Sequence, residues 1–353
     1  MKKLLILALL VFGCDLFDSK NENKDDFIIP DRNIYIVGND EGGACYWKNG
    51  SRVELPGGDW ATDIIIVNDN IYVSGTCGAN ACYWINQERF DLPGSGGEGE
   101  AIAVDGDDIY VAGWFDNGSC YWKNKEQINL TVNRDSQAFA IGIRNNGDVY
   151  VGGYYMNNNH YYVPCFWKNG NNRSNLPASE DGEVYDITFD ETGNMRYYAG
   201  NTTKLDNFSG YPPKACYWRH TNRTDLPLGG SSMDIYGSYA HGITMNGENI
   251  YLAGYTNQYE FFGEEETTGG NFPQYWINST IYNLEGGPMT EFGTGEAYDI
   301  RVADGYVIIV GIATKGPNYD DDGESACYWV NGKLYYIEDI IGVRSEAKGI
   351  FID

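Results

Sequence analysis

Histidine is nearly absent from this chain of 353 residues, which has three. A metal centre built from clustered imidazoles is therefore excluded, and no cysteine stands beside a histidine in a nucleophile context. Basic residues are scarce as well: 24 Lys plus Arg face 50 Asp plus Glu, for a formal charge of −26. That balance excludes recognition of nucleic acid or of an anionic membrane surface through basic patches. No Gly-rich phosphate loop is present. Long apolar runs are missing too, since the N-terminal stretch from Leu4 to Phe12 has nine residues against the ~20 that span a bilayer as a helix.

What the chain has in abundance is glycine, 45 residues, and tyrosine, 29, with 42% of all residues hydrophobic. A turn-rich all-β protein with a sizeable core follows. The repeat confirms the class. A strand-like segment ending in glycine recurs seven times, from IYIVG at Ile34 to Gly38 through to VIIVG at Val307 to Gly311. Each is followed by a Cys-aromatic-Trp segment, such as Cys45-Tyr46-Trp47, with Gln274-Tyr275-Trp276 as the one variant. A third segment often ends in Leu-Pro, as at Leu55-Pro56, and a fourth runs through Ala and Ile, as in EAYDI from Glu296 to Ile300. Four short strands per unit at this period predict a seven-bladed β-propeller with four-stranded blades, over residues 27–353. The first unit lacks a fourth segment and the chain ends on a spare one, Ser345 to Asp353, so the C-terminal strand is expected to join the N-terminal blade and close the ring.

The seven Trp in register read as core, and the six Cys beside them as buried thiols acting as small hydrophobes. Cys77 and Cys82 flank one hairpin loop, where a disulfide or two thiols would both fit.

Lys2 and Lys3, the apolar run and a small residue, Gly13, before Cys14 read as a secretory signal over residues 1–13. VFGC, Val11 to Cys14, resembles the lipobox of bacterial lipoproteins. The resemblance implies that Cys14 is lipidated and becomes the first residue of an envelope protein, at the outer membrane or cell surface. Residues 14–26, polar and without periodicity, read as a flexible tether. The run Ala-Cys-Tyr-Trp-Lys-Asn-Gly, Leu-Pro, Glu-Ala-x-x-Ile, Ile-Tyr-Val-Ala-Gly is similar to the bacterial HAF-type extracellular repeat. Ala-Cys-Tyr stands here for His-Ala-Phe, and Leu-Pro for Leu-Gly. The likeness implies a secreted or surface protein and supplies no catalytic residues.

Positions alike in every repeat serve the scaffold, and those that diverge are free to serve function. The loop from the terminal glycine to the Cys register spans 7 positions in the first three units, then 12, 16, 20 and 16. These four long loops crowd one half of one face. Tyr155, His160, Tyr161, Tyr211, Tyr259, Phe261 and Tyr319 stand on them as candidate ligand-binding residues. Asp320, Asp322 and Glu324 have the spacing of oxygen ligands for a hard cation such as calcium, or form a solvated charge run. At the channel mouth Glu100, Glu183, Glu296 and Glu346 are read as equivalent. Two places on, Thr62, Ile102, Phe139, Tyr185, His241, Tyr298 and Lys348 vary, which makes His241 and Tyr298 further candidates.

The Ser-x-Asp-x-Gly-x-Thr-Trp box of sialidases is absent, and DETGN at 190–194 reads as a turn. The reading that fits the lopsided rim is a monomeric, lipid-anchored binding module for a glycan or protein. A carbohydrate-active hydrolase or lyase using paired carboxylates is the alternative, and an envelope scaffold, like the lipoprotein propeller of the outer-membrane barrel machinery, the third.

Overall fold

The structure is a computed structural model describing residue 29 and residues 31–353, apart from 117, 132–134, 171, 179, 204, 207–208, 211, 229–233, 263–264, 287–293, 315–322 and 338–343. The side chains of 205–206, 209–210, 234, 259–262 and 265–269 are likewise outside the description. The residues read as signal and tether, 1–26 with Cys14 among them, therefore fall outside the described residues.

Every helix or strand assigned among the described residues is a strand, and the strands form seven four-stranded antiparallel sheets arranged in a ring, with a separate two-stranded one, Leu205–Asp206 with Ser209–Gly210. Blade 2 shows the plan: an inner strand Trp60–Val67, then Asn70–Cys77, Asn80–Ile85 and the outer Glu88–Asp91. Blades 3 to 7 repeat it on inner strands Gly97–Asp105, Ser136–Ile143, Asp181–Phe189, Asp234–Asn246 and Gly295–Ala303. Blade 1 is composite. Ile34–Asp40, Gly43–Lys48 and Ser51–Glu54 come from one end of the chain, and Glu346–Ile352 returns from the other as the inner strand, pairing Ile34 with Ile352 and Ile36 with Ile350. The Asp353 carboxylate accepts from the Asn33 backbone N–H at 2.7 Å and from its side-chain amide at 2.9 Å, which fastens the closure.

The core consists of seven clusters, each lying between consecutive blades. One sets Tyr46 and Val37 of blade 1 against Ile64 and Trp84 of blade 2, and the last sets Ile308 and Val310 of blade 7 against Ile36 and Trp47 of blade 1. The seven repeated Trp are at most 1% exposed. Each removes about 200 Å² from water, on the order of 5 kcal/mol gross. The indole N–H also stitches blades together: Trp122 donates to the Pro93 carbonyl at 2.9 Å, Trp218 to Pro177 at 3.0 Å and Trp276 to Pro227 at 3.0 Å. The Leu-Pro ending of one repeat is thus the acceptor for the Trp of the next. Cys45, Cys120, Cys165, Cys216 and Cys327 are buried, and Cys77 is bonded to Cys82.

One irregularity shared by all seven inner strands positions everything that follows; blade 6 adds a second, between Ile235 and Gly237. The register with the second strand skips one residue in every blade, for example between Ala61 and Asp63, and between Ala297 and Asp299. Such a bulge re-aims the extra residue. It also presses the preceding carbonyl onto the next strand, where a Cβ at Gly75 would lie 2.1 Å from the Trp60 oxygen and one at Gly311 1.9 Å from that of Glu296. Only glycine fits, which is why each repeat's second strand carries one at this point.

Candidate functional site

The skipped residues of the seven blades are Lys348, Thr62, Glu100, Phe139, Tyr185, His241 and Tyr298. All seven line one cavity of about 800 Å³ along the ring axis, reaching from Trp60, Glu98 and Glu346 at the long-loop face to Val104 and Phe189 at the other end. Blade 3 corrects the sequence reading by two positions. In GEGEAIAV it is Glu98 that matches Glu183, Glu296 and Glu346, while Glu100 takes the bulge. Ile102 is core, 4% exposed. Two glutamates two residues apart made the frames indistinguishable by eye.

After the bulge comes Asp in blades 2, 5 and 7 and a small residue in the others. Each Asp staples two blades. Asp63 accepts from its neighbour Ile64 at 2.8 Å and from Ile102 of blade 3 at 3.0 Å; Asp186 bonds Ile187 and Ile243 of blade 6, and Asp299 bonds Ile300 and Ile350 of blade 1. Arg301 joins Asp299 at 2.6 Å. These aspartates thus bond the backbone of the neighbouring blade's inner strand.

The wall of the cavity has two characters. Through blades 4 to 7 it is aromatic: Phe139 lies 5.6 Å from Tyr185, Tyr185 stacks on His241 at 4.5 Å, and His241 meets Tyr298 edge-on at 5.6 Å. Behind this arc stand Tyr154, Tyr239 and Tyr255. The Tyr298 hydroxyl donates to Glu296 at 2.7 Å, and that of Tyr185 to Glu183. Burial, and then the facing glutamate, pushes both phenols up, so both stay protonated donors. Burial and then Lys348 push His241 down to about 3, which leaves a neutral ring whose Nε2 is buried without a hydrogen-bond partner.

Blades 1 to 3 present charge instead. Lys348 lies 2.9 Å from Glu346 with its ammonium 4.0 Å from the Tyr298 ring centre. Glu100 accepts from the Trp114 indole at 3.3 Å. Burial, then the charge of Glu98, pushes its carboxyl up to about 7. Trp60 stands at the mouth, 49% exposed. The sequence reading missed Trp60, Glu98, Tyr239 and the three aspartates; aligning the repeats on small-x-(Asp or small)-Ile would have found most of them.

His241 and Tyr298 are brought together in the cavity. The loop candidates are not gathered there. Tyr155 is 9% exposed, with the Arg173 guanidinium 3.5 Å over its ring and its hydroxyl taken by Asn175, so it packs the blade instead of standing on the rim. His160 is exposed on a turn closed by Asn157, at φ +64, and Tyr161 beside it is half-buried. In blade 6 the long loop is a β-hairpin, Asn249–Phe262 with Glu265–Ile277, and the side chains of Tyr259 and Phe261 on it are outside the description. Tyr211, Tyr319, Asp320 and Asp322 lie outside the described residues. Glu324, the remaining member of the calcium reading, lies 3.3 Å from Arg344, and no cluster that could hold a metal occurs among the described residues.

No protein family matches the sequence, and no curated protein does. Similar solved structures include the extracellular domain of the BT4673 one-component system of B. thetaiotaomicron, with TM-score 0.40 and 8% identity over 88% of this chain. The chain spans about half of that domain, 53% of its length. The β-propeller domain of the Trilobed protease from Pyrococcus furiosus has TM-score 0.43 and 11% identity, over 78% of this chain and 82% of that one. AofleA from Arthrobotrys oligospora has TM-score 0.40 and 9% identity, over 91% and 88%. The class defined by the sheets themselves is a seven-bladed, four-stranded β-propeller with a C-terminal strand in its first blade.

Proposed function

We propose that this protein is an exported propeller, lipid-anchored through Cys14, that binds a glycan at the long-loop mouth of its channel. The observation that carries the reading is the continuous aromatic arc from Phe139 to Tyr298, which borders an 800 Å³ cavity where a hydrophobic core would bury it. Sugar rings stack their C–H faces on such surfaces, and carboxylates within reach accept from their hydroxyls. Trp60, on blade 2, adds a separate solvent-exposed ring at the mouth. Export is supported by the signal-like N-terminus and by the Cys77–Cys82 disulfide, a bond that persists in oxidising compartments.

A glycan array followed by titration of the domain from Asp26 tests the site. Trp60→Ala and Phe139→Ala are expected to weaken binding roughly tenfold each, the scale of one lost stacking contact. Binding that neither substitution changes would move the site off the channel, and capture of proteins but no glycan would replace the ligand class. Release of reducing ends from a bound glycan would turn the module into a hydrolase. Cys14→Ser is expected to release the protein from the membrane fraction.

A further inference from the structure

Acidic groups outnumber cations along the cavity, and one pair of them has neither a cation nor a backbone N–H as partner among the described residues. Asp299 is paired with Arg301, and Asp63 and Asp186 each accept two backbone N–H groups. Glu346 is paired with Lys348. Glu98 and Glu100 remain, two carboxyl groups side by side on blade 3 that hydrogen-bond to each other through a shared proton and accept from the Trp114 indole N–H, with the charge of Lys348 acting on Glu100 from farther off. No cation lies within ion-pair distance of either among the described residues.

The ring order places blade 3 across the axis from blades 6 and 7, so Glu98 and Glu100 face the His241 and Tyr298 end of the aromatic arc over the cavity. The channel already shows how it holds an ammonium group: Lys348 lies between the Glu346 carboxylate, at 2.9 Å, and the face of Tyr298, at 4.0 Å. A carboxylate on one side and a π-face on the other is the chemistry that recognises a desolvated cation. Glu98 and Glu100 repeat the carboxylate half of that arrangement without an internal cation to fill it.

We propose that the ligand brings this cation: the channel selects a sugar bearing a free, protonated amine over the same sugar N-acetylated. The inference rests on the glycan reading above and narrows it to amino sugars. The amine would sit against Glu98 and Glu100 while the ring stacks on the arc. An acetamide has no charge to offer and leaves the two carboxyl groups facing each other.

The test titrates the full domain with glucosamine oligosaccharides and their fully N-acetylated counterparts, which share ring, linkage and length. Wild type is expected to bind the amine form at least about tenfold more tightly, the gain of one charge-assisted contact. Glu98→Gln with Glu100→Gln should erase that preference, the two forms then binding within about twofold of each other, with thermal unfolding confirming the fold. Equal or tighter binding of the N-acetylated oligosaccharide by wild type would overturn the amine inference and leave the glycan reading standing. Binding of neither form would count against both. A preference that survives the double substitution would overturn the assignment to Glu98 and Glu100.

Discussion

The two interfaces that flank blade 3 are made from the same repeats and fastened differently. Between blades 2 and 3, Asp63 bonds the Ile102 backbone at 3.0 Å and Trp122 bonds the Pro93 carbonyl at 2.9 Å. Between blades 3 and 4, Ala101 stands where the aspartate would be. The Trp167 indole N–H is buried without a partner. This second seam is also where the Glu98 and Glu100 wall meets the aromatic arc at Phe139. The aspartate is missing from four of the seven seams, and at this one the indole bond is missing with it.

The aspartate staples should show the largest effects. Asp299→Ala removes the carboxylate paired with half-buried Arg301 and the acceptor of two backbone N–H groups, and a cost of about 3 kcal/mol is expected in chemical denaturation. Asp63→Ala removes two hydrogen bonds and strands no cation, so its cost should be about half as large. Equal costs would mean that the Arg301 pair adds nothing to the seam between blades 7 and 1.

Glu100 gives the next effect, and its sign is opposite. Its carboxyl is held at about 7 in the folded protein against 4.5 ordinarily, first by burial and then by Glu98. The folded state thus binds this proton more tightly than the unfolded chain, so the stability it contributes is complete below 4.5 and is lost as the pH rises through about 7. Glu100→Gln should match wild type in acid and exceed it above 7, by on the order of 2 kcal/mol. A gap of the same size at all pH values would show that the carboxyl does not titrate in this range.

The seven blades and their closure were legible because they are written seven times: the period, the Trp register and the spare final strand each carry a physical necessity. The Asp staples were harder to see, since only three blades carry one and the pattern emerges only when the bulge is known. Glu100 was misplaced by the repeat within GEGE, and Tyr155 because a loop aromatic and a packed one look alike until Arg173 is seen across its ring. The site itself was half legible: His241 and Tyr298 stood out as divergent, whereas the join of one aromatic and one acidic wall exists only in the closed ring.

The smallest expected effect separates the two seams most cleanly. Trp122→Phe and Trp167→Phe remove the same ring atoms from equivalent, fully buried places, so their loss of packing should be nearly the same. They differ in the hydrogen bond. Trp122→Phe leaves the Pro93 carbonyl without its donor, while at 167 the substitution removes an N–H that has no partner to lose. Trp122→Phe should therefore cost about 1 kcal/mol more, a difference that paired denaturant titrations at unchanged slope resolve. If the two variants are equally destabilised, the interblade indole bond contributes nothing net, and the seam between blades 3 and 4 is as firmly closed as its neighbour.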